Sequence, residues 1–390
     1  MKNGFGRLGA VVVLGILASA CGGGDEVAKP PQQPVAPPPV AAVDTTPPPV
    51  AVAPPAKPTL PELEATAIKT LIDGENAHDA AKVAAAYTDD VTATVAGTPP
   101  TTSKADLQGM LQHHFDTFKD MKYWVTRTWT KNDMVAMEWG WSGTDTGGMM
   151  GAKPTEKPAG SMALSVMWFT PDGLIKKENT YIDFGTVAAQ VGMSKMKAPA
   201  VPTPSSSVEA HVAKGTPDED KATAFATNMY AAMDSKKEAD FLATIDDSAD
   251  FVDYAGPMAG AKTKKADAKK FLAMWSKAFP DAKTTVTNAF GVEDFVIVES
   301  NMNGTQKGAL GRIPASKKPV SLHSAEIYQV ANGKMIHGWS YSNGGELMME
   351  IGMLKPHDAK AASDKGADQG KAAGASKGAA TKPATKPATK

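Results

Sequence analysis

Few residue patterns in this chain of 390 residues could do chemistry, and the familiar ones are missing. Its one cysteine, Cys21, rules out a disulfide framework and a thiolate metal cluster. His113 and His114 are adjacent on a helical stretch, where neighbours point apart. His78, His211, His323 and His337 show no ligand spacing, so no metal site and no cofactor is expected. Asp89-Asp90 and Asp246-Asp247 read as solvated turn residues, and there is no nucleophile-elbow or phosphate-loop motif. What remains is a set of aromatic residues and one carboxylate at strand spacing. Alternation puts Lys177, Asn179, Tyr181 and Asp183 on one face of a strand, and Met137, Trp139 and Trp141 on one face of an earlier strand, with Trp168 on the next. A carboxyl group buried among such residues has its pKa raised and can move a proton. The same tryptophans serve equally as packed core, and Asp183 at a strand end equally caps the segment after it.

The elements that position these residues are written twice. Leu60, Leu63, Ala67 and Leu71 repeat at helical spacing, followed by short helices over Asp79–Tyr87 and Asp106–Phe118. Strands follow at Tyr123–Thr130, Met134–Gly143, Met162–Thr170 and Leu174–Asp183, with Pro171-Asp172-Gly173 as a hairpin turn. The second half repeats the order. Helices are expected near Lys221–Met233, Glu238–Ile245 and Lys264–Phe279, and strands near Thr284–Phe290, Phe295–Asn303, Ser321–Val330 and Met335–Ser342. Landmarks superpose with an offset of 161, then 160: Glu138 on Glu299, Gly143-Thr144 on Gly304-Thr305, Tyr181 on Tyr341, Gly192-Met193 on Gly352-Met353. Helices first and antiparallel strands after is an α+β order.

Composition sets the frame around these units. The 41 basic and 42 acidic residues nearly cancel, which argues against a nucleic-acid partner. Residues 1–21 read as a secretory signal, with Lys2 and Arg7 before an apolar run. Leu17-Ala18-Ser19-Ala20-Cys21 resembles a bacterial lipobox, which implies a lipid on Cys21 and an exported, membrane-tethered protein in the cell envelope, the outer membrane favoured. Between Pro30 and Pro61 lie 13 prolines, so residues 22–61 read as an extended linker. Residues 62–197 form the first domain, 198–217 a polar joint and 218–354 the second domain. The tail, 355–390, has eight lysines, three aspartates and no aromatic residue, and reads as disordered.

With these residues in place the halves resemble the SnoaL-like polyketide cyclases and ester cyclases, of nuclear-transport-factor-like fold. The resemblance rests on Gly143-Thr144-Asp145-Thr146-Gly147, Asp172-Gly173, Asp183 and Gln190-Val191-Gly192 in the first half. In the second it rests on Gly304-Thr305-Gln306-Lys307-Gly308, Asn332-Gly333, Trp339 and Glu350-Ile351-Gly352. It implies two tandem cone-shaped α+β barrels, each a curved antiparallel sheet wrapped around helices, with a pocket in the cone. It also implies cofactor-free proton transfer, with Asp183 at the acid–base position and Tyr181 as its assistant. Each half departs from the family at one residue: Asn179 replaces a tryptophan in the first, and Asn343 replaces the carboxylate in the second. Asparagine cannot exchange a proton near neutral pH, so the second half reads as degenerate.

The reading is an envelope lipoprotein that binds a small hydrophobic molecule without turnover. Trp139, Trp141, Trp168, Asn179, Trp339, Tyr341 and Asn343 are the expected ligand contacts. The alternatives are a cyclase or isomerase working through Asp183 in the first domain, and a structural module with filled pockets. Open sheet faces in this fold class commonly pair, so the domains are expected to pack as an intrachain pseudo-dimer.

Overall fold

The structure, a computed structural model, describes residues 57–354. The signal segment, Cys21, most of the proline-rich stretch and the tail lie outside the described residues. The first helix begins slightly earlier than the linker boundary suggests. Both long helices open on a threonine followed three residues later by glutamate. In α1 (Leu60–Ala77) the Glu62 carboxylate accepts from the Thr59 N–H at 2.7 Å, and in α5 (Pro217–Ser235) Glu219 accepts from Thr216 N–H at 3.1 Å. Each satisfies N–H groups that a helix start leaves unpaired, and Pro61 and Pro217 have none to lose.

The first domain continues α2 (Ala80–Ala84), β1 (Tyr87–Val95), α3 (Lys104–Thr117), β2 (Lys122–Lys131), β3 (Met134–Thr144), β4 (Pro158–Phe169), β5 (Ile175–Ile182) and α4 (Phe184–Gln190). A short strand, β6 (Glu209–Val212), leads into α5. The second domain repeats the order with α6 (Glu238–Ala243), β7 (Ile245–Asp253), β8 (Lys262–Lys264), α7 (Lys265–Ala278), β9 (Lys283–Val292), β10 (Phe295–Thr305), β11 (Pro319–Ala331), β12 (Lys334–Ser342) and α8 (Gly344–Glu350). Two six-stranded sheets result, ordered β1-β5-β4-β3-β2-β6 and β8-β7-β12-β11-β10-β9. The β4–β5 hairpin turns at Gly173, whose φ of +77° suits glycine and whose Cα lies too close to Leu63 to carry a Cβ.

Three features differ from the expectations. β1 and β7 run parallel to β5 and β12, so the sheets are mixed. Register shifts after Tyr87 and Ile245 break the alternation that would have announced β1 and β7. Asp89-Asp90 and Asp246-Asp247 therefore sit in strands instead of loops, where Asp89 and Asp247 hold Lys104 and Lys265 at 2.8 Å each. Thirdly, the joint 198–217 is not bare linker: Glu209–Val212 adds β6 in parallel to β2.

The core falls into separate regions. One continuous cluster fills the first domain's interior, including Leu71, Phe115, Met137, Trp141, Met167 and Phe169. A second lies between the two sheets, formed by Trp129, Leu164, Val166 and Tyr181 of the first domain with Phe290, Phe295, Ile297, Ile327 and Tyr341 of the second. The second domain's interior is split in two, one part around Phe225, Val298 and Tyr328 and another around Phe279, Met302 and Val320.

Candidate functional site

Most of the residues singled out by sequence do not meet in a cone. The face of β5 that carries Asn179 and Tyr181 looks toward the second domain, and the matching face of β12 looks toward the first. The contacts are exchanged across the seam. Tyr181 donates its hydroxyl to Glu299 at 2.8 Å, and its equivalent Tyr341 donates to Glu138, the equivalent of Glu299. Arg127 grips Glu138 with Nε and Nη2, both at 2.7 Å, and lies 3.9 Å over the ring of Trp339. On the other side Glu299 takes the amides of Asn179 (2.7 Å) and Asn288 (2.8 Å). Asn288 stands where Arg127 stands in the first domain, and Asn179 where Trp339 stands in the second. Burial works against charge on Glu138, but the hydrogen bonds and charge of Arg127, helped by Thr126 and Tyr341, outweigh it and hold its carboxyl below the usual range. Burial first, then Glu299, raises the Tyr181 phenol, which therefore stays a donor. Trp168 packs against the same seam, with the Lys177 ammonium 4.1 Å over its ring.

Asp183 and Asn343 lie at the ends of these strands. Asp183 is 1% exposed and caps α4. Its Oδ1 accepts from Gly185 N–H (2.9 Å) and, across the seam, Gly344 N–H (3.0 Å). Its Oδ2 accepts from Thr186 N–H (3.1 Å), Thr186 Oγ1 (2.7 Å) and, across the seam, Gly256 N–H (2.8 Å). Asn343 caps α8 through Gly345 N–H (3.0 Å) and donates its amide across the seam to the Ala96 carbonyl at 2.8 Å. Ala96 is matched by Tyr254, since their N–H groups donate to the equivalent carbonyls of Thr180 and Ser340, and Gly256 follows two residues later. The aspartate faces an N–H and the asparagine faces a C=O.

The faces that do look inward carry other residues. In the first domain Glu178 of β5 accepts from the Tyr87 hydroxyl at 2.7 Å and from Thr180 at 3.1 Å. Trp139 stacks on Tyr123 at 4.9 Å and donates to Ser165 at 3.0 Å, while Trp141 packs against Phe118 and His114. Glu75 of α1 is buried here too, and burial, then the charge of Glu178, pushes its carboxyl up to about 8. In the second domain the equivalents of Trp139, Ala163 and Ile182 are Ser300, Ser324 and Ser342, and Ser165 is matched by Glu326. Ser300 and Ser324 share a hydrogen bond of 3.0 Å, and Glu326 accepts from the Tyr230 hydroxyl. Burial pushes the Glu326 carboxyl up to about 7 against the hydrogen bond from Tyr230. This polar belt is what divides the second interior: Val296, Val298 and Tyr328 lie on one side of it, Met302 and Leu322 on the other. Among the described residues no group of three or more His, Cys, Asp or Glu side chains converges to hold a metal ion.

Residues 224–351 match the SnoaL-like polyketide cyclase family and residues 68–178 match the SnoaL-like domain family. The chain carries two SnoaL-like domains. Solved structures similar to parts of it include AclR from Streptomyces galilaeus, 21% identical, covering 40% of this chain and 96% of that one at a TM-score of 0.35. A protein from Jannaschia Sp. CCS1 assigned as a SnoaL-like polyketide cyclase is 17% identical, covering 36% and 96% at 0.33. A protein with a ketosteroid isomerase-like fold from Catenulispora acidiphila is 19% identical, covering 34% and 95% at 0.29. No curated protein sequence matches the chain.

Within the SnoaL-like pair, then, Asp183, Tyr181, Asn179, Trp168, Trp339, Tyr341 and Asn343 lie along the domain seam. Trp139 and Trp141 belong to the first interior. The assignment of β5's Tyr181 face to a cone is corrected for a physical reason: both faces of the strand are buried, and alternation then separates two faces without saying which is inside. A signal was nonetheless present. Glu138 and Glu299 sit mid-strand in apolar surroundings in both copies, and such a carboxylate needs a fixed donor. Glu326, Tyr230, Glu75 and Glu178 were not singled out, because nothing local marks them. Two clefts open onto the seam, one of about 670 Å³ beside Arg127 and Trp339, the other of about 580 Å³ beside Asn179, Tyr181 and Thr287.

Proposed function

We propose that the chain is an exported lipoprotein, tethered through Cys21, whose second SnoaL-like domain binds a small, largely apolar molecule in its interior. One observation carries the reading: the serine belt with Glu326 and Tyr230 interrupts the core of the second domain, where the first has Trp139 and Ile182. Apolar walls on both sides of a few convergent polar groups are the usual make-up of a small-molecule site. Ser324, Ser340 and Ser342 are only half-buried there. Asp183 has no part in this reading, since five donors already occupy its oxygens.

The test is mass spectrometry of small molecules released from the purified full-length chain. An apolar compound near one per chain is expected, and it is lost in Ser300→Trp, which rebuilds the filled state of the first domain. No compound from the wild type, or equal amounts from a folded Ser300→Trp variant, defeats the proposal. Intact mass supplies the test of the tether: an acyl increment on Cys21 is expected, absent in Cys21→Ser.

A second reading, proton transfer on the bound compound, is favoured by the Glu326 carboxyl at about 7 beside a tyrosine hydroxyl. It requires Glu326→Gln to keep the compound bound and stop its conversion. Conversion at an unchanged rate in that variant removes it.

A further inference from the structure

We propose that the cleft of about 670 Å³ beside Arg127 is a second ligand site, for a neutral polyhydroxylated compound of saccharide type. Its volume lies inside the range of small-molecule sites, about 300–1,000 Å³. Its walls come from both domains and from the segment that joins them, so it exists only in the assembled pair. Ser205, Ser207, Glu209 and His211 close it from that joining segment, facing Asp250, Val252 and Trp339. The site is independent of the interior of the second domain.

The chemical class follows from which groups in the wall are already taken. Four carboxylates, Glu138, Glu209, Asp250 and Asp294, face two permanent cations, Arg127 and Lys262, so an anion is repelled. A ligand cation would want the place between a carboxylate and an aromatic face. The chain fills that place itself, with Arg127 bound twice to Glu138 at 2.7 Å and lying over Trp339. Asp250 is likewise engaged, by His337 Nδ1 at 2.7 Å and Lys262 at 3.4 Å. The groups left for a ligand are acceptors. Glu209 is the β-ladder neighbour of Arg127, whose guanidinium is committed to Glu138, and the Asp294 carboxylate takes the Gln329 amide at 2.7 Å. His211 Nδ1 lies 2.9 Å from Glu293, and its buried Nε2 has no partner among the described residues. A compound with several hydroxyl donors and an apolar ring face fits this wall, because a hydroxyl donates strongly to a carboxylate without bringing charge. Val252, Phe295 and Trp339 supply the apolar part.

The test uses the full-length chain and saturation-transfer NMR with cellobiose, maltose and N,N′-diacetylchitobiose, beside spermidine and citrate as charged controls. At least one disaccharide is expected to bind saturably with a millimolar Kd. Glu209→Ala and Asp294→Ala each weaken it about tenfold or more, the loss of a hydrogen bond to a charged acceptor, with Tm unchanged. Ser300→Trp, inside the second domain, leaves it unaltered. Absence of binding by all three disaccharides overturns the proposal. So does disaccharide binding that survives both substitutions, or spermidine binding that is lost in them.

Discussion

Replacing Asp183 by asparagine separates a clasp from a catalyst. Its two oxygens hold five donors, two on Oδ1 and three on Oδ2, and two of the five come from the other domain. An asparagine has one acceptor oxygen, so its amide must point at one of these sets. The milder choice turns it toward Gly185 and Gly344, leaving two N–H groups without an acceptor and facing another donor. At about 1–3 kcal/mol for each of the two orphaned donors, the substitution costs on the order of 2–6 kcal/mol. For a folded part of this size that lowers Tm by about 3–10 °C. Thermal unfolding followed by circular dichroism reads the effect, and mass spectrometry of released small molecules runs beside it. The expected result is a large loss of stability with the compound of the second domain still bound below Tm. A variant within about 1 °C of the wild type, with the compound or its conversion gone, would refute the clasp and restore Asp183 as a reacting group.

Two further outcomes follow from the buried carboxyl groups. The Glu326 carboxyl sits at about 7 and that of Glu75 at about 8, against 4.5 ordinarily, so the folded state binds these protons more tightly than the unfolded chain. Their stability is fully present below about pH 4.5 and is lost as pH rises through 7 and 8, by roughly 3 kcal/mol for Glu326 alone. Urea unfolding at pH 5 and pH 8 should show this decline, and Glu326→Gln should flatten part of it; equal declines in both proteins would mean that Glu326 is already ionised in the fold. At the seam, Glu138 keeps Arg127 when Tyr341 is removed, whereas Glu299 has only neutral donors. Tyr181→Phe is therefore expected to cost about 1–3 kcal/mol and Tyr341→Phe about 1 kcal/mol. Urea denaturation that reverses this order counts against the account of the seam.

Much of the fold was legible because it was written twice. Glycine and hairpin positions repeat at one offset, and the long antiparallel strands alternate cleanly, so β2 to β5 and β9 to β12 appear within a few residues of their expected bounds. β1 and β7 stayed hidden because each carries a register shift and two aspartates that read as turn residues. The site was less legible. A resemblance led to Asp183, and its capping role could be named from its place at a strand end, but the two donors across the seam come from residues 73 and 161 positions away. Glu326 draws its meaning from Tyr230, 96 positions earlier, and no local pattern connects them.

The departures of each half from its family become intelligible at the seam. In a symmetric dimer one residue must serve both sides of an interface, so an aspartate that meets an N–H on one side must meet one on the other. A duplicated chain is free of that constraint. Asp183 meets the Gly256 N–H, and Asn343, its equivalent, meets the Ala96 carbonyl, where a carboxylate would set two acceptors against each other. The same freedom places Arg127 over Trp339 on one side and Asn288 beside Asn179 on the other, around equivalent glutamates. Loss of the tryptophan in one half and of the carboxylate in the other is thus what an asymmetric joint requires, and it says nothing about which interior is in use. The site proposed above lies in the second interior, where Ser300 stands in place of Trp139 and Glu326 accepts from Tyr230.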